Sequence, residues 1–126
     1  MKKLKTKWFS KWARKQKISD AILLRAIEDM RNNLSSVNLG RGLFKVRVAS
    51  ENTGKSSAYR TIVVYRENDR AVMVYSFMKK EQENLSSDEV KSFKTLSKDI
   101  LRLDDESLTG AIEKNIFVKI GDKDER

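Results

Sequence analysis

The sequence contains no cysteine and no histidine. The first absence excludes disulfides, thiolate metal sites and cysteine nucleophiles, and it fits a reducing compartment. The second removes the side chain that most often moves protons near neutral pH. Apolar runs are short: none is long enough to span a bilayer, and no signal-peptide core follows the N-terminal lysines. A soluble, cytoplasmic protein without a membrane partner is expected. Acidic residues are missing from Met1 to Lys17, although the chain as a whole carries eighteen Asp and Glu.

Cations fill that deficit. Twenty-seven Lys and Arg give a formal net charge of +9, which favours a polyanionic partner over a neutral small molecule. Nucleic acid, an anionic membrane surface or an acidic protein would each satisfy it. With 126 residues, 39% of them hydrophobic, the chain can bury one core. A single domain over residues 1–120 is expected, followed by a frayed tail, 121–126.

The stretch from Lys55 to Asn84 organises the chain. Tyr59 to Tyr65 is apolar on both faces, with Ile62 and Val64 opposed to Thr61, Val63 and Tyr65, so it reads as a central strand covered on both sides. Ala71 to Met78 has the same character. Glu67-Asn68-Asp69 between them favours a turn, and the whole predicts an antiparallel hairpin. Hairpin pairing brings Tyr59 and Arg60 near Phe77 through Lys80, which gathers sequence-distant cations at one sheet end.

Upstream, Trp8 with Trp12 and Phe9 with Ala13 lie one helical turn apart, predicting a basic amphipathic helix over the first seventeen residues. Its apolar stripe could lie on lipid or on a sheet, and packing on the sheet is the expectation. The pattern breaks at Lys17 to Ser19. Ser19 is a candidate N-cap for a second helix carrying Leu23, Ile27, Met30 and Leu34, so the two form a helical hairpin. Asn38 to Gly42 reads as a turn. After it, Phe44, Val46 and Val48 alternate with Lys45, Arg47 and Ala49, which makes one strand face core and the other cationic. Lys45 and Arg47 on that face are either solvated or in contact with phosphate.

Residues 49–56, ASENTGKS, differ from a phosphate-binding P-loop only by Ala49 at the first glycine. That loop must lead from a strand into a helix N-terminus, whereas here a strand follows, so nucleotide binding is not expected. Lys55 reads instead as a loop cation beside Arg60. Further on, Ser86 and Glu89 form a capping box, with Leu85 and Val90 placed as a hydrophobic staple. Val90, Phe93, Leu96, Ile100 and Leu103 then make the apolar stripe of a third helix. Asp104-Asp105-Glu106 ends it, with a short helix over Leu108 to Lys114 and a short edge strand over Ile116 to Ile120 to follow.

Four stretches in this order, KTKWFSKWARKQKISD, LGRGLFKVRVA, GKSSAYRTIVVYR and YSFMKKEQENLS, resemble the RelE/ParE superfamily of toxins, nearest to its RelE/HigB-type group. The resemblance covers the chain to about Leu103. It implies an α+β fold: an N-terminal helical hairpin packed on a small antiparallel-rich sheet, followed by a C-terminal helix. It also implies the toxin half of a type II toxin-antitoxin pair, partnered by an antitoxin that is itself a DNA-binding repressor, and cleavage of mRNA on the ribosome. Cations stand in for a metal, so neither metal nor cofactor is expected. Lys45, Arg47, Lys55, Arg60 and Lys80 fall where the family places its cationic groups. Lys80 stands where an arginine is typical of RelE proper, Ser86 where a tyrosine is, and HigB-like histidines are missing, so the acid and base assignments stay open.

Cleavage by a ribose 2′-hydroxyl needs proton removal, stabilisation of a dianionic phosphorane and protonation of the departing 5′-oxygen. Grouped Lys and Arg can supply these. On this reading Arg60 clamps the phosphate, Lys55 is the candidate base and Lys80 the candidate acid. Lys45, Arg47 and Lys79 contact RNA, and Tyr59 or Phe77 either stacks on a base or belongs to the core. Two other readings use the same charge: a ParE-like inhibitor of DNA gyrase, and a nucleic-acid binder without chemistry.

Overall fold

A computed structural model of the chain describes residues 1–34, 36–49 and 58–121. The described residues form β1 (Lys2–Thr6), α1 (Lys7–Lys15), α2 (Asp20–Arg31), β2 (Ser36–Gly40), β3 (Leu43–Ala49), β4 (Ala58–Arg66), β5 (Arg70–Met78), α3 (Ser87–Arg102), α4 (Asp105–Glu113) and β6 (Phe117–Lys119). One sheet holds all six strands in the order β2-β3-β4-β5-β1-β6. β1 runs parallel to β5, and every other pairing is antiparallel. The class is α+β, with a mixed sheet.

The β4–β5 hairpin is the centre, as its apolar pattern requires. Asp69 N–H donates to Arg66 O across the turn, and Asn68 takes φ 64°, a conformation that asparagine tolerates at low cost. Both faces are covered. On one side Val46, Val48, Tyr59, Val63 and Met73 pack under Phe9 and Ala13 of α1 and Leu23, Ile27 and Met30 of α2. On the other, Leu43, Ile62, Val64, Val72 and Phe77 meet Ile100 of α3, Leu108 of α4 and Phe117.

Several elements differ from the sequence expectation. The N-terminal segment is not helical throughout: Lys2 to Thr6 is a strand, and Leu4, the buried residue at its centre, sits beside Val72. Pairing with β5, far along the chain, overrides the local pattern. Thr6 then caps α1, its side chain accepting from Phe9 N–H at 3.1 Å. α1 lies chiefly over β5 and β1, and α2 over β3, so both helices cover the same face and each leans on the sheet more than on the other. Leu34 is excluded from the stripe of α2 and is 53% exposed. Asn33 at φ 60° ends that helix, with Asn33 N–H bonded to Met30 O and Leu34 N–H to Asp29 O, a Schellman closure.

Asn38 to Gly40 belong to β2 rather than to a turn. The reversal itself is Arg41-Gly42, both at positive φ, which matches the right-handed twist of a two-residue hairpin. A Cβ on Gly42 would fall 2.5 Å from Leu101 Cδ1, so the bare backbone here is what lets α3 approach. Buried Ser97 of α3 completes the contact by donating to Arg41 O at 2.8 Å.

α3 begins as expected, with both bonds of the Ser86–Glu89 capping box formed. Its far end is held by arginines. Arg70, only 2% exposed, donates to Ile100 O at 2.9 Å and to Asp69 at 3.0 Å, while Arg66 reaches Leu101 O. Guanidinium groups at a helix C-terminus satisfy orphan carbonyls and complement the helix dipole. α4 starts at Asp105, three residues earlier than expected, because Asp104 serves as N-cap. β6 forms the expected edge strand against β1. Residues 122–126, most of the expected tail, lie outside the described residues.

Candidate active site

The register of β4 on β5 sets Arg60 opposite Phe77 and Tyr59 opposite Met78, and that of β3 on β4 sets Arg47 opposite Arg60. Neighbouring strands are about 4.8 Å apart, so two guanidinium stems rise side by side from one sheet face. The chain leaving β5 at Met78 turns at once, and Lys79 and Lys80 stand at the rim. Together Arg47, Arg60, Lys79 and Lys80 line an open cavity of about 630 Å³, with Ala58, Met78 and Glu83 completing its wall. None of these four cations makes an ion pair with a described residue.

The facing is decided by a bulge. Ile62 pairs with Tyr75 but Val63 pairs with Met73, leaving Val74 as an extra residue in β5. Strand alternation reverses there, so Tyr75 and Phe77 join Val72 and Val74 on the side of α3, the side that also carries Lys45, Arg47 and Arg60. Behind the site, buried Thr61 and Ser76 share a 3.0 Å hydrogen bond, and Ser76 Oγ donates to Arg60 O at 3.2 Å. The strand bearing Arg60 is thereby held to β5 from the opposite face.

Lys45 stands one step along β3 from Arg47 and donates to Asn84 Oδ1 at 3.3 Å, which ties the loop before α3 to the cationic face. That loop is braced further: Tyr75 donates to Gln82, and Gln82 donates to Glu89. Burial, then the charges of Glu89 and Glu81, push the Tyr75 phenol above its ordinary range. Tyr59 is 6% exposed and points to the other face, with its ring edge-on to Trp12 at 4.9 Å and its hydroxyl donating to Gln16 at 3.0 Å. Of the two roles left open for it, packing describes its position. Phe77 is buried likewise, on the face of Arg60.

Lys55 lies outside the described residues, as does most of ASENTGKS. Ala49 and Ala58 on either side of that segment are paired in adjacent antiparallel strands, so it links strand to strand and not strand to helix. Glu83 is the lining residue that sequence reasoning passed over. It sits in a charged run, KKEQEN, whose letters do not distinguish it from Glu81.

A sequence model described as the RelE toxin of the RelE / RelB toxin-antitoxin system matches residues 1–120. The chain belongs to the RelE toxin family. It is therefore the toxin of a toxin-antitoxin system, and an antitoxin is its partner. No curated protein matches this toxin. Among the described residues of the toxin no helix is long and apolar enough to cross a membrane.

Proposed function

We propose that this RelE toxin is a ribosome-dependent mRNA endonuclease that needs no metal, and that it stops growth by stopping translation. The observation that carries the reading is the groove: four cations from three chain segments converge against a single carboxylate, Glu83, and none of the four forms an ion pair with a described residue. Cations in such excess repel one another, so a protein that keeps them together loses stability unless a further anion completes the site. A phosphodiester passing to a phosphorane dianion is such an anion, and it gains more from the cations in the transition state than in the ground state.

In the proposed reaction the 2′-oxygen loses its proton and attacks phosphorus, the P–O5′ bond breaks, and a 2′,3′-cyclic phosphate and a 5′-hydroxyl result. Arg60 grips two phosphoryl oxygens with its planar fork. Arg47 adds charge from the neighbouring strand, and Lys45 and Lys79 hold flanking phosphates. Lys80 protonates the leaving 5′-oxygen, and Lys55 takes the 2′-proton. An acidic antitoxin segment would cancel the same charge and block the groove. Delivery of mRNA by the ribosome and action in the cytoplasm rest on family membership.

The test is translation of a defined message with purified toxin, with mRNA ends mapped in the presence and absence of ribosomes. New 5′-hydroxyl ends should appear only on translating ribosomes. Loss of DNA synthesis before protein synthesis in induced cells, with mRNA ends unchanged, would replace this reading with gyrase inhibition. Salt-dependent binding with intact RNA recovered would leave a binder without chemistry.

A further inference from the structure

We infer that the outer face of α1 is a second docking stretch for single-stranded RNA, on which an unpaired base stacks against Trp8 while Lys11 and Lys15 meet phosphates. The inference rests on the nuclease reading for the identity of the strand in the groove. Its own support is separate. α1 has already committed its apolar side: Phe9 and Ala13 are buried in the core, yet Trp8 is left 47% exposed. Trp8, Lys11, Trp12 and Lys15 follow one another at helical spacing, so ring and cation alternate along one stripe. Lys11 and Lys15 form no ion pair with a described residue.

The indole is held flat by other rings. Trp8 stacks on Trp12 with 10° between planes and sits 5.1 Å from Tyr75. Tyr75 in turn lies 6.0 Å from Phe77, the residue opposite Arg60. An aromatic row therefore leads from α1 to the cationic groove, and the β5 bulge that turns Tyr75 toward α3 is what joins the two. Stacking surfaces beside cations match the alternating bases and phosphates of a single strand, and they do so without regard to sequence. A lipid surface fits less well, because a nine-residue helix whose Phe9 and Ala13 are buried has a single exposed ring, Trp8, and no apolar face to insert. An acidic peptide would answer the cations but has no use for an exposed, fixed indole.

The experiment measures binding of two labelled oligonucleotides, one fully 2′-O-methylated and one with the same backbone but abasic. Neither presents a 2′-hydroxyl nucleophile with a base, so cleavage does not deplete the stacking probe. Unaltered toxin should bind the base-bearing strand more tightly. Trp8→Ala should weaken that binding about tenfold to a hundredfold and leave the abasic strand nearly unchanged, while Trp8→Phe should keep most of the affinity. Lys11→Ala and Lys15→Ala should weaken both strands and lower the salt slope by about 0.7 each. Equal affinity of the unaltered toxin for both strands would overturn the inference without any variant. So would tighter binding of phosphatidylserine vesicles or polyglutamate than of RNA. If the toxin never cleaves mRNA but the Trp8 effect holds, only the nuclease reading falls; if it cleaves and Trp8→Ala binds and cleaves normally, only this one does.

Discussion

Arg60 and Arg70 stand on adjoining strands of one hairpin and should behave in opposite ways when replaced by alanine. Arg60 lines the groove and has no ion-pair partner among the described residues. Its removal forfeits no ion pair with a described residue, so stability should change by about 0.5 kcal/mol or less. Its fork is assigned to the phosphorane, and losing such a donor costs on the order of 3 to 4 kcal/mol of barrier, a hundredfold or more in rate. Arg70 is 2% exposed and bonds Asp69 and Ile100 O. Arg70→Ala leaves a buried carbonyl without its donor and opens a hole under α3, at a cost of about 2 to 3 kcal/mol, discounted because Arg66 still reaches Asp69. For a chain of this size that is a fall in Tm on the order of 10 °C. The assays are thermal unfolding of each variant and mapping of mRNA ends at a temperature where both are folded. Arg60→Ala should unfold like the unaltered protein and fail to cut, and Arg60→Lys should recover little, since a single ammonium lacks the planar fork. Wild-type cutting by folded Arg60→Ala would remove Arg60 from the mechanism, and a large fall in its Tm would mean that the side chain has a structural partner.

Three further outcomes are expected. Burial alone would raise the Asp69 carboxyl, but hydrogen bonds from Arg66 and Arg70, with their charges, outweigh it and hold the group below its ordinary value. A lowered folded-state pKa stabilises the fold above the unfolded value of about 3.9 and ceases to do so as pH falls through the folded one. The Tm gap between the unaltered toxin and Asp69→Asn should therefore be full near neutral pH and narrow progressively as pH falls below about 4; a gap that does not narrow at all on acidification would refute the pairing. Gly42→Ala places a Cβ against Leu101 at φ +79° and should cost about 2 kcal/mol in denaturant unfolding, with loosening of α3 seen as faster amide exchange. Ser86→Ala should cost about 1 kcal/mol by loss of the capping box, and Ser86→Asp should restore most of it.

Short-range chemistry was legible from the letters. The Ser86 capping box, the Ser19 cap, the Glu67-Asn68-Asp69 turn and the alternation of β3 each involve residues within a few positions of one another, so the cause of the structure lies inside the stretch. Pairing of β4 with β5 follows from a short turn, and with it the approach of Arg60 to the FMKK end. Long-range pairing was hidden. Lys2 to Thr6 is a strand because β5, sixty-eight residues away, offers it a parallel partner at Arg70 to Met73, and five residues with one buried leucine do not announce that. The bulge at Val74 is likewise invisible in RAVMVYSFM, since an uninterrupted apolar strand has no alternation to break. Yet that one extra residue turns Tyr75 and Phe77 to the face of Arg60 and brings the row of rings beside the groove. Composition favoured a partner of negative charge, and hairpin chemistry determined which cations meet. Which face they share, what braces them from behind and which aromatic rings stand beside them were decided by strand register, a property of pairs of segments and not of either one alone.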